Sequence, residues 1–390
     1  MYMIPYGHQD INQNDIDAVE RILRSDFLTQ GPAVPAFEDA IKKYCNVEYA
    51  VAVNSATSAL HIACLALGVG PGDSVWTTPI TFVASANCAL YCGATVDFVD
   101  IDPLTYNLSV EKLAEKLSRA QQDGSLPKVV IPVHLCGQSC DMEGIFKLSK
   151  QYGFRVIEDA SHAIGGSYLD QPIGNCRFSD ITVFSFHPVK IITTGEGGLA
   201  VTNHSDIAKR MMSFRSHGIT RDVQDMSHAS HGPWYYEQIE LGFNYRMTDI
   251  QAALGLSQMQ RLNQFVEQRH AVANQYAALL KKMPLKLPFQ SLGGHSSLHL
   301  YVIQIDSAIY NHLEFFETMR SNGVGVNIHY IPVYRQPYYE KMGFTPSEYP
   351  ESEKYYSQAV SLPIFPGLTQ MQQEYIANAV NKSLEKSKRN

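Results

Sequence analysis

Residues 184–198 read F-S-F-H-P-V-K-I-I-T-T-G-E-G-G. A single lysine, Lys190, stands between a strand-like apolar run, Ile181–Ser185, and a glycine-rich segment. Most lysines lay an apolar stem along the surface and keep the ammonium in water. A lysine that forms a Schiff base instead needs a partly desolvated site, so that its amine is neutral often enough to attack an aldehyde. Pro188, Val189, Ile191 and Ile192 surround Lys190 with apolar groups, which favours the second reading.

Upstream, Val156–Gly166 reads V-I-E-D-A-S-H-A-I-G-G, an apolar run ending in Glu158-Asp159 and followed by small residues. Acids after strands are commonly solvated. Asp159, thirty-one residues before Lys190, meets a more specific need. A carboxylate against the pyridine nitrogen of pyridoxal 5'-phosphate (PLP) keeps that nitrogen protonated and the ring an electron sink. No G-x-G-x-x-G follows the first strand-like run, so a nicotinamide-binding domain is not supported.

Working outward, apolar runs at 49–53, 74–78, 95–99, 128–132, 155–158, 181–185 and 198–202 read as strands. Amphipathic stretches at 57–67, 82–91, 109–122 and 141–152 lie between most of them. This alternation predicts an α/β fold, a mostly parallel seven-stranded sheet with helices on both faces. Ligands on such sheets bind beyond the carboxyl ends of the strands. Asn54–Ser58, Thr78–Phe82, Asp159–His162 and Ser185–Lys190 all fall there. Asn54-Ser55-Ala56-Thr57-Ser58 opens a helix, either as an ordinary Ser/Thr cap or as a phosphate cradle of free backbone N–H groups. With Lys190 in view, Ala56 and Thr57 are assigned to the PLP phosphate.

The remaining chain predicts helices at Asn14–Ser25 and Val34–Tyr44 after an extended start from Tyr2, and a long loop at Met226–Glu240. Met247–Leu280 reads as helical. It is followed by a strand at Leu298–Ile305, a helix at Leu313–Ser321, a strand at Val324–His329 and a helix at Thr369–Leu384. The division expected is a large PLP-binding domain, 1–255, and a smaller α+β domain, 256–390.

Several stretches together resemble the DegT/DnrJ/EryC1/StrS sugar aminotransferases, PLP enzymes of fold type I. They are G-P-x-V-x-x-F-E at Gly31, N-S-A-T-S-A-L-H, P-I-T-F-V-A-S-A-N, E-D-A-S-H-A-I-G-G, S-F-H-P-V-K-I-I-T-T-G-E-G-G, R-S-H-G-I and G-F-N-Y-R-M-T-D-I-Q-A-A-L-G. The likeness runs from about Gly31 to Gly255 and is weaker at both ends. It implies that Phe82 stacks on the pyridine ring, that His162 lies near the ring face or its hydroxyl, and that Ser185 reaches the phosphate. It implies that Asn244 enters from a neighbouring subunit, making the active unit a homodimer. Tyr6, the turn Leu28-Thr29-Gln30-Gly31, Ser185 and the segment His329-Tyr330-Ile331-Pro332 resemble substrate contacts. The implied amino donor is L-glutamate, with Arg215, Arg221 and Arg246 as candidates for its carboxylate. Within the family the chain is most similar to the branch that aminates C4 of a UDP-linked 4-keto-6-deoxy sugar of the β-L-arabino series, in pseudaminic acid synthesis. A UDP-linked D-xylo sugar and GDP- or dTDP-linked sugars stay open. A dehydratase branch carries histidine in place of the lysine; Lys190 favours transamination. Intact Lys190 and Asp159 also argue against a non-catalytic binding protein.

Composition narrows the partners. The chain has 390 residues, 45% hydrophobic and 18% charged, with net charge −7. No strongly basic stretch exists to neutralise a nucleic-acid backbone, and no apolar run reaches the length of a membrane span. The start, M-Y-M-I-P-Y-G-H, lacks a signal-peptide pattern, which predicts a cytoplasmic protein. The locally basic Lys382–Asn390 is expected to be a solvated tail. Seven cysteines, an odd number in mostly apolar surroundings, fit reduced core thiols. His134, Cys136 and Cys140 have no second ligand pair at zinc spacing, so no metal is expected.

Overall fold

The computed structural model describes residues 3–389; Tyr2, where the extended start was expected, and Asn390 lie outside them. Seven strands form one sheet: β1 (Tyr49–Val53), β2 (Ser74–Thr77), β3 (Thr95–Phe98), β4 (Val129–Ile131), β5 (Arg155–Asp159), β6 (Ile181–Ser185) and β7 (Gly198–Thr202). Their order across the sheet is β1-β7-β6-β5-β4-β2-β3. All pairs are parallel except those of β7, which runs antiparallel to β1 and β6.

The strands are apolar on both faces because both faces are covered. Val51 and Val53 of β1 pack with α3 (Ala56–Ala66), α4 (Ala84–Tyr91) and α7 (Ser205–Arg215). Ala50 and Ala52, pointing oppositely, pack with α2 (Ala33–Cys45), α8 (Asp249–Met259) and α9 (Leu262–Leu280). Further along that face, Val130 and Val156 meet α5 (Val110–Asp123) and α6 (Met142–Tyr152). The N-terminal helix α1 (Gln13–Leu23) is joined to α8 through the buried Asp15 carboxylate, which accepts from Ser257, Gln258 and Arg261.

A second, smaller antiparallel sheet pairs β8 (Tyr301–Ile305) with β9 (Ala359–Leu362) and with Leu285–Lys286. Helices α10 (His312–Ser321) and α13 (Gln370–Ser387) cover it, with the short α11 (Pro337–Glu340) and α12 (Pro350–Gln358) between them in sequence. Two expectations are corrected here. Val324–His329 is not a strand. It makes single bridges from Val324 to Ile4 and from Asn327 to Ser361, and the Val326 N–H turns back onto the Val324 carbonyl. An apolar run was mistaken for a ladder. Lys382–Ser387 is not a solvated tail but the last turns of α13, with Leu384 buried in the small core. Arg389 N–H then bonds the Ile309 carbonyl, so the chain is held beyond the helix.

Candidate active site

The carboxyl ends of β1, β5 and β6 open onto a cavity of about 820 Å³. Three turns deliver its chemistry. The first is the β1–α3 junction. Ser55 caps α3 by accepting from Ser58 N–H, and the Ser58 hydroxyl donates to Asn54. The Ala56 and Thr57 N–H groups, first in the helix, have no intrahelical acceptor and border the cavity. Strand β7 passes so close that a Cβ on Gly198 would lie 2.3 Å from Ala56 N.

The second turn follows β5. Asp159, 4% exposed, accepts from the Ser161 hydroxyl (2.5 Å) and backbone N–H (3.0 Å) on Oδ1, and from the Ser85 hydroxyl (2.6 Å) on Oδ2. The third follows β6 and carries Ser185 and Lys190 to the same cavity. Burial lowers the Lys190 amine to about 8, against the partial opposing pull of Asp159. Desolvation favours the neutral form of an amine, which is the state a nucleophilic lysine needs.

The opposite wall comes from the small-sheet half. Ile4 is bridged to Val324, which brings Tyr6 beside His329, ring centroids 5.3 Å apart. The His329–Tyr330 peptide is cis. Tyr330 Oη lies 3.1 Å from His162 Nε2, and its ring is 6.3 Å from that of Phe82. Phe82 is 59% exposed, a large aromatic held at the cavity rather than in the core. Burial, then Lys190, pushes His329 down to about 3. Burial, then Lys190 and His329, holds His162 well below the usual histidine range. Burial also raises the Tyr330 hydroxyl. These groups therefore meet a ligand neutral.

Some candidates lie elsewhere in this chain. Leu28–Gly31 does not line the cavity; Gly31 and Ala33 N–H bond the buried Asp249 carboxylate, both at 2.8 Å. Ile331, Pro332 and the exposed Asn244 are also outside the lining. Arg215 is ion-paired with Glu38 at 2.7 Å and bonds the Ala52 carbonyl, Arg221 lies over the Tyr236 ring, and Arg246 does not border the cavity. Sequence reasoning missed His299, Asn327, Gln251 and Glu196, which border the cavity, and Ser85 and Ser161, which hold Asp159. His299 carries no local signal. It arrives because the fully buried Arg269 braces its loop through the carbonyls of Leu298, His299 and Ile364. His134 is bonded to Glu158 at 2.7 Å, and Cys140 Sγ donates to the Val133 carbonyl.

The residues fit PLP. A helix N-terminus with free N–H groups suits its phosphate. A buried carboxylate suits its ring nitrogen, and His162 Nδ1 is a buried atom without a partner among the described residues. A doubly covered sheet with a lysine, an acid and a helix N-terminus at one edge is the construction of a fold type I PLP enzyme. The chain belongs to the DegT/DnrJ/EryC1/StrS aminotransferase family, whose model matches residues 9–381. It is a PLP-dependent sugar aminotransferase. It is 36% identical over 392 residues to the UDP-4-amino-4,6-dideoxy-N-acetyl-beta-L-altrosamine transaminase of Campylobacter jejuni, covering 99% of each chain. It is also 36% identical to the spore coat polysaccharide biosynthesis protein SpsC of Bacillus subtilis, covering 97% of this chain and 96% of that one. Among solved structures, Helicobacter pylori PseC, an aminotransferase involved in the biosynthesis of pseudoaminic acid, superposes with a TM-score of 0.91 at 31% identity. That match covers 98% of this chain and 100% of PseC. No described helix is long and apolar enough to cross a membrane.

Proposed function

We propose that the protein transfers an amino group from L-glutamate to C4 of UDP-2-acetamido-2,6-dideoxy-β-L-arabino-hexos-4-ulose. The product would be UDP-4-amino-4,6-dideoxy-N-acetyl-β-L-altrosamine, on the way to pseudaminic acid. The observation that carries the chemistry is one cavity holding a lysine amine lowered to about 8, a buried carboxylate and a helix N-terminus. Likeness to the Campylobacter and Helicobacter enzymes supports the substrate.

When bound, PLP supplies the electron sink that lets a proton leave the donor Cα. Lys190 Nζ is the general acid–base, taking that proton and returning it on the other side of the transfer. Asp159 would accept a hydrogen bond from the ring nitrogen and keep it protonated. Ala56 and Thr57 N–H, with the Ser185 hydroxyl, would bind the phosphate, and Phe82 and His162 would confine the ring. Tyr6, His329 and Tyr330 meet the sugar as neutral hydrogen-bonding groups. That suits the hydroxyl and acetamido groups of a sugar. Leu28–Gly31, Ile331 and Pro332 are assigned to the outer substrate path. Asn244 is assigned to the phosphate site of a partner subunit in a homodimer.

The equal identity to the spore coat protein keeps a second reading, a sibling nucleotide sugar. Purified protein with PLP and L-glutamate should be given the UDP-4-keto sugar of the β-L-arabino series or its α-D-xylo epimer, and amino sugar followed by NMR. Product from the L-arabino sugar alone is the expected result. Product only from the D-xylo sugar would keep the chemistry and replace the substrate.

A further inference from the structure

The carboxylate of Asp159 is not held by chance neighbours. An ionised carboxylate only accepts, with about four lone-pair positions on its two oxygens. Oδ1 has two donors, the Ser161 hydroxyl and the Ser161 backbone N–H. Oδ2 has one, the Ser85 hydroxyl at 2.6 Å. The acceptor position left open is therefore on Oδ2, beside the Ser85 donor.

Hydrogen-bond direction follows from the same count. Ser85 has one hydroxyl proton, and Asp159 takes it. Thr81 Oγ1 lies 2.8 Å from Ser85 Oγ, so Thr81 must be the donor in that contact. The order is Thr81 O–H to Ser85 O–H to Asp159 Oδ2. Ser85 is 0% exposed and Thr81 3%, so both hydroxyls are buried. Losing a buried donor to a charged acceptor costs more than losing a neutral pair. The two residues frame the turn that carries Phe82, whose carbonyl is 3.4 Å from Ser85 Oγ. One turn thus carries both the exposed aromatic ring and a donor to the acid.

We propose that Thr81 and Ser85 are positioning residues that aim Asp159 Oδ2 at the ring nitrogen of PLP. This rests on the assignment of Asp159 to that nitrogen. The two ideas separate with 1-deazapyridoxal 5'-phosphate, in which carbon replaces the ring nitrogen. Phosphate, aldehyde and ring face are unchanged, so only the Asp159 contact differs. Binding of PLP and of the deaza compound to apoprotein would be titrated by absorbance, with melting temperature as a check on folding.

Wild type should prefer PLP by about ten-fold or more, the scale of a hydrogen bond to a charged group. Ser85→Ala should bring that preference within about three-fold. Thr81→Val, which keeps the shape and removes the donor, should give an intermediate value, and Thr81→Ser should restore the wild-type ratio. A purely structural role would lower the melting temperature of Ser85→Ala and leave the ratio intact; that result overturns the proposal. A wild-type protein with no preference would overturn the assignment of Asp159, and the relay with it. If Ser85→Ala does not fold, the Thr81→Val and Thr81→Ser pair decides.

Discussion

At the scale of the residue, Lys190 illustrates a conflict between stability and chemistry. Its amine is lowered from 10.5 to about 8, chiefly by burial. Between those values the unfolded chain binds more protons than the folded one, so folding stability from this group rises with pH across the window. Below pH 8 both states are protonated, and the full penalty of burying the ammonium stands. Lys190→Met should therefore abolish transamination and at pH 7 raise the melting temperature of the apoprotein by about 2–5 °C. The advantage over wild type should narrow as pH is raised from 8 to 10.5. Thermal melts of both apoproteins at several pH values check this. An advantage that stayed constant with pH would show that methionine packing, not relief of a buried charge, is responsible. That Lys190 and Asp159 would meet at one cavity was legible in the sequence because each is an ionisable residue next to an apolar run, an expensive placement. Ser85 was not legible. A serine in a helix after P-I-T-F carries no such cost, and its role exists only where α4 crosses the end of β5.

At the scale of the element, the turn we propose for the phosphate depends on how closely β7 approaches α3. The Cβ of an alanine at Gly198 would meet Ala56 N at 2.3 Å and Ser55 C at 2.4 Å. Both are backbone atoms at the start of a capped helix and cannot swing aside as a side chain can. Gly198→Ala should displace the first turn of α3, destabilise the fold by about 1–3 kcal/mol and weaken PLP binding by about ten-fold or more. Urea unfolding and a PLP titration measure the two effects separately. Normal PLP affinity in a destabilised variant would mean that the phosphate does not sit on this turn. The seven strands of the large sheet were readable to within a residue or two. Burial on both faces makes each a continuous apolar run closed by turn residues. The same rule misread Val324–His329, which is apolar because it lines a seam between the N-terminal segment and β9, with one bridge to each. It also passed over α12, whose first turn carries two glutamates and whose buried residues, Ser352 and Tyr355, give little apolar period. The capping of α12 by Asp100, 251 residues earlier, is a tertiary contact that no local pattern announces.

At the scale of the whole molecule, one chain supplies the lysine, the acid and the helix N-terminus. The exposed Asn244 lies outside the lining of its own cavity, and no arginine among the described residues lines that cavity. If Asn244 serves a partner's phosphate site, lesions at Lys190 and Asn244 must complement between subunits. A dimer of one Lys190→Ala subunit and one Asn244→Ala subunit would have one site carrying both lesions and one site intact. Were Asn244 to act within its own chain, each site would carry one lesion. Random reassociation makes half the dimers mixed, and each has one intact site of two. The expected recovery is therefore about a quarter of wild-type activity from two variants that are each impaired alone. Separately tagged subunits, purified through both tags after mixing, would raise that figure to about half. Recovery no greater than the average of the two parents would place Asn244 in its own subunit and remove the need for a shared site, whatever the oligomeric state by sedimentation.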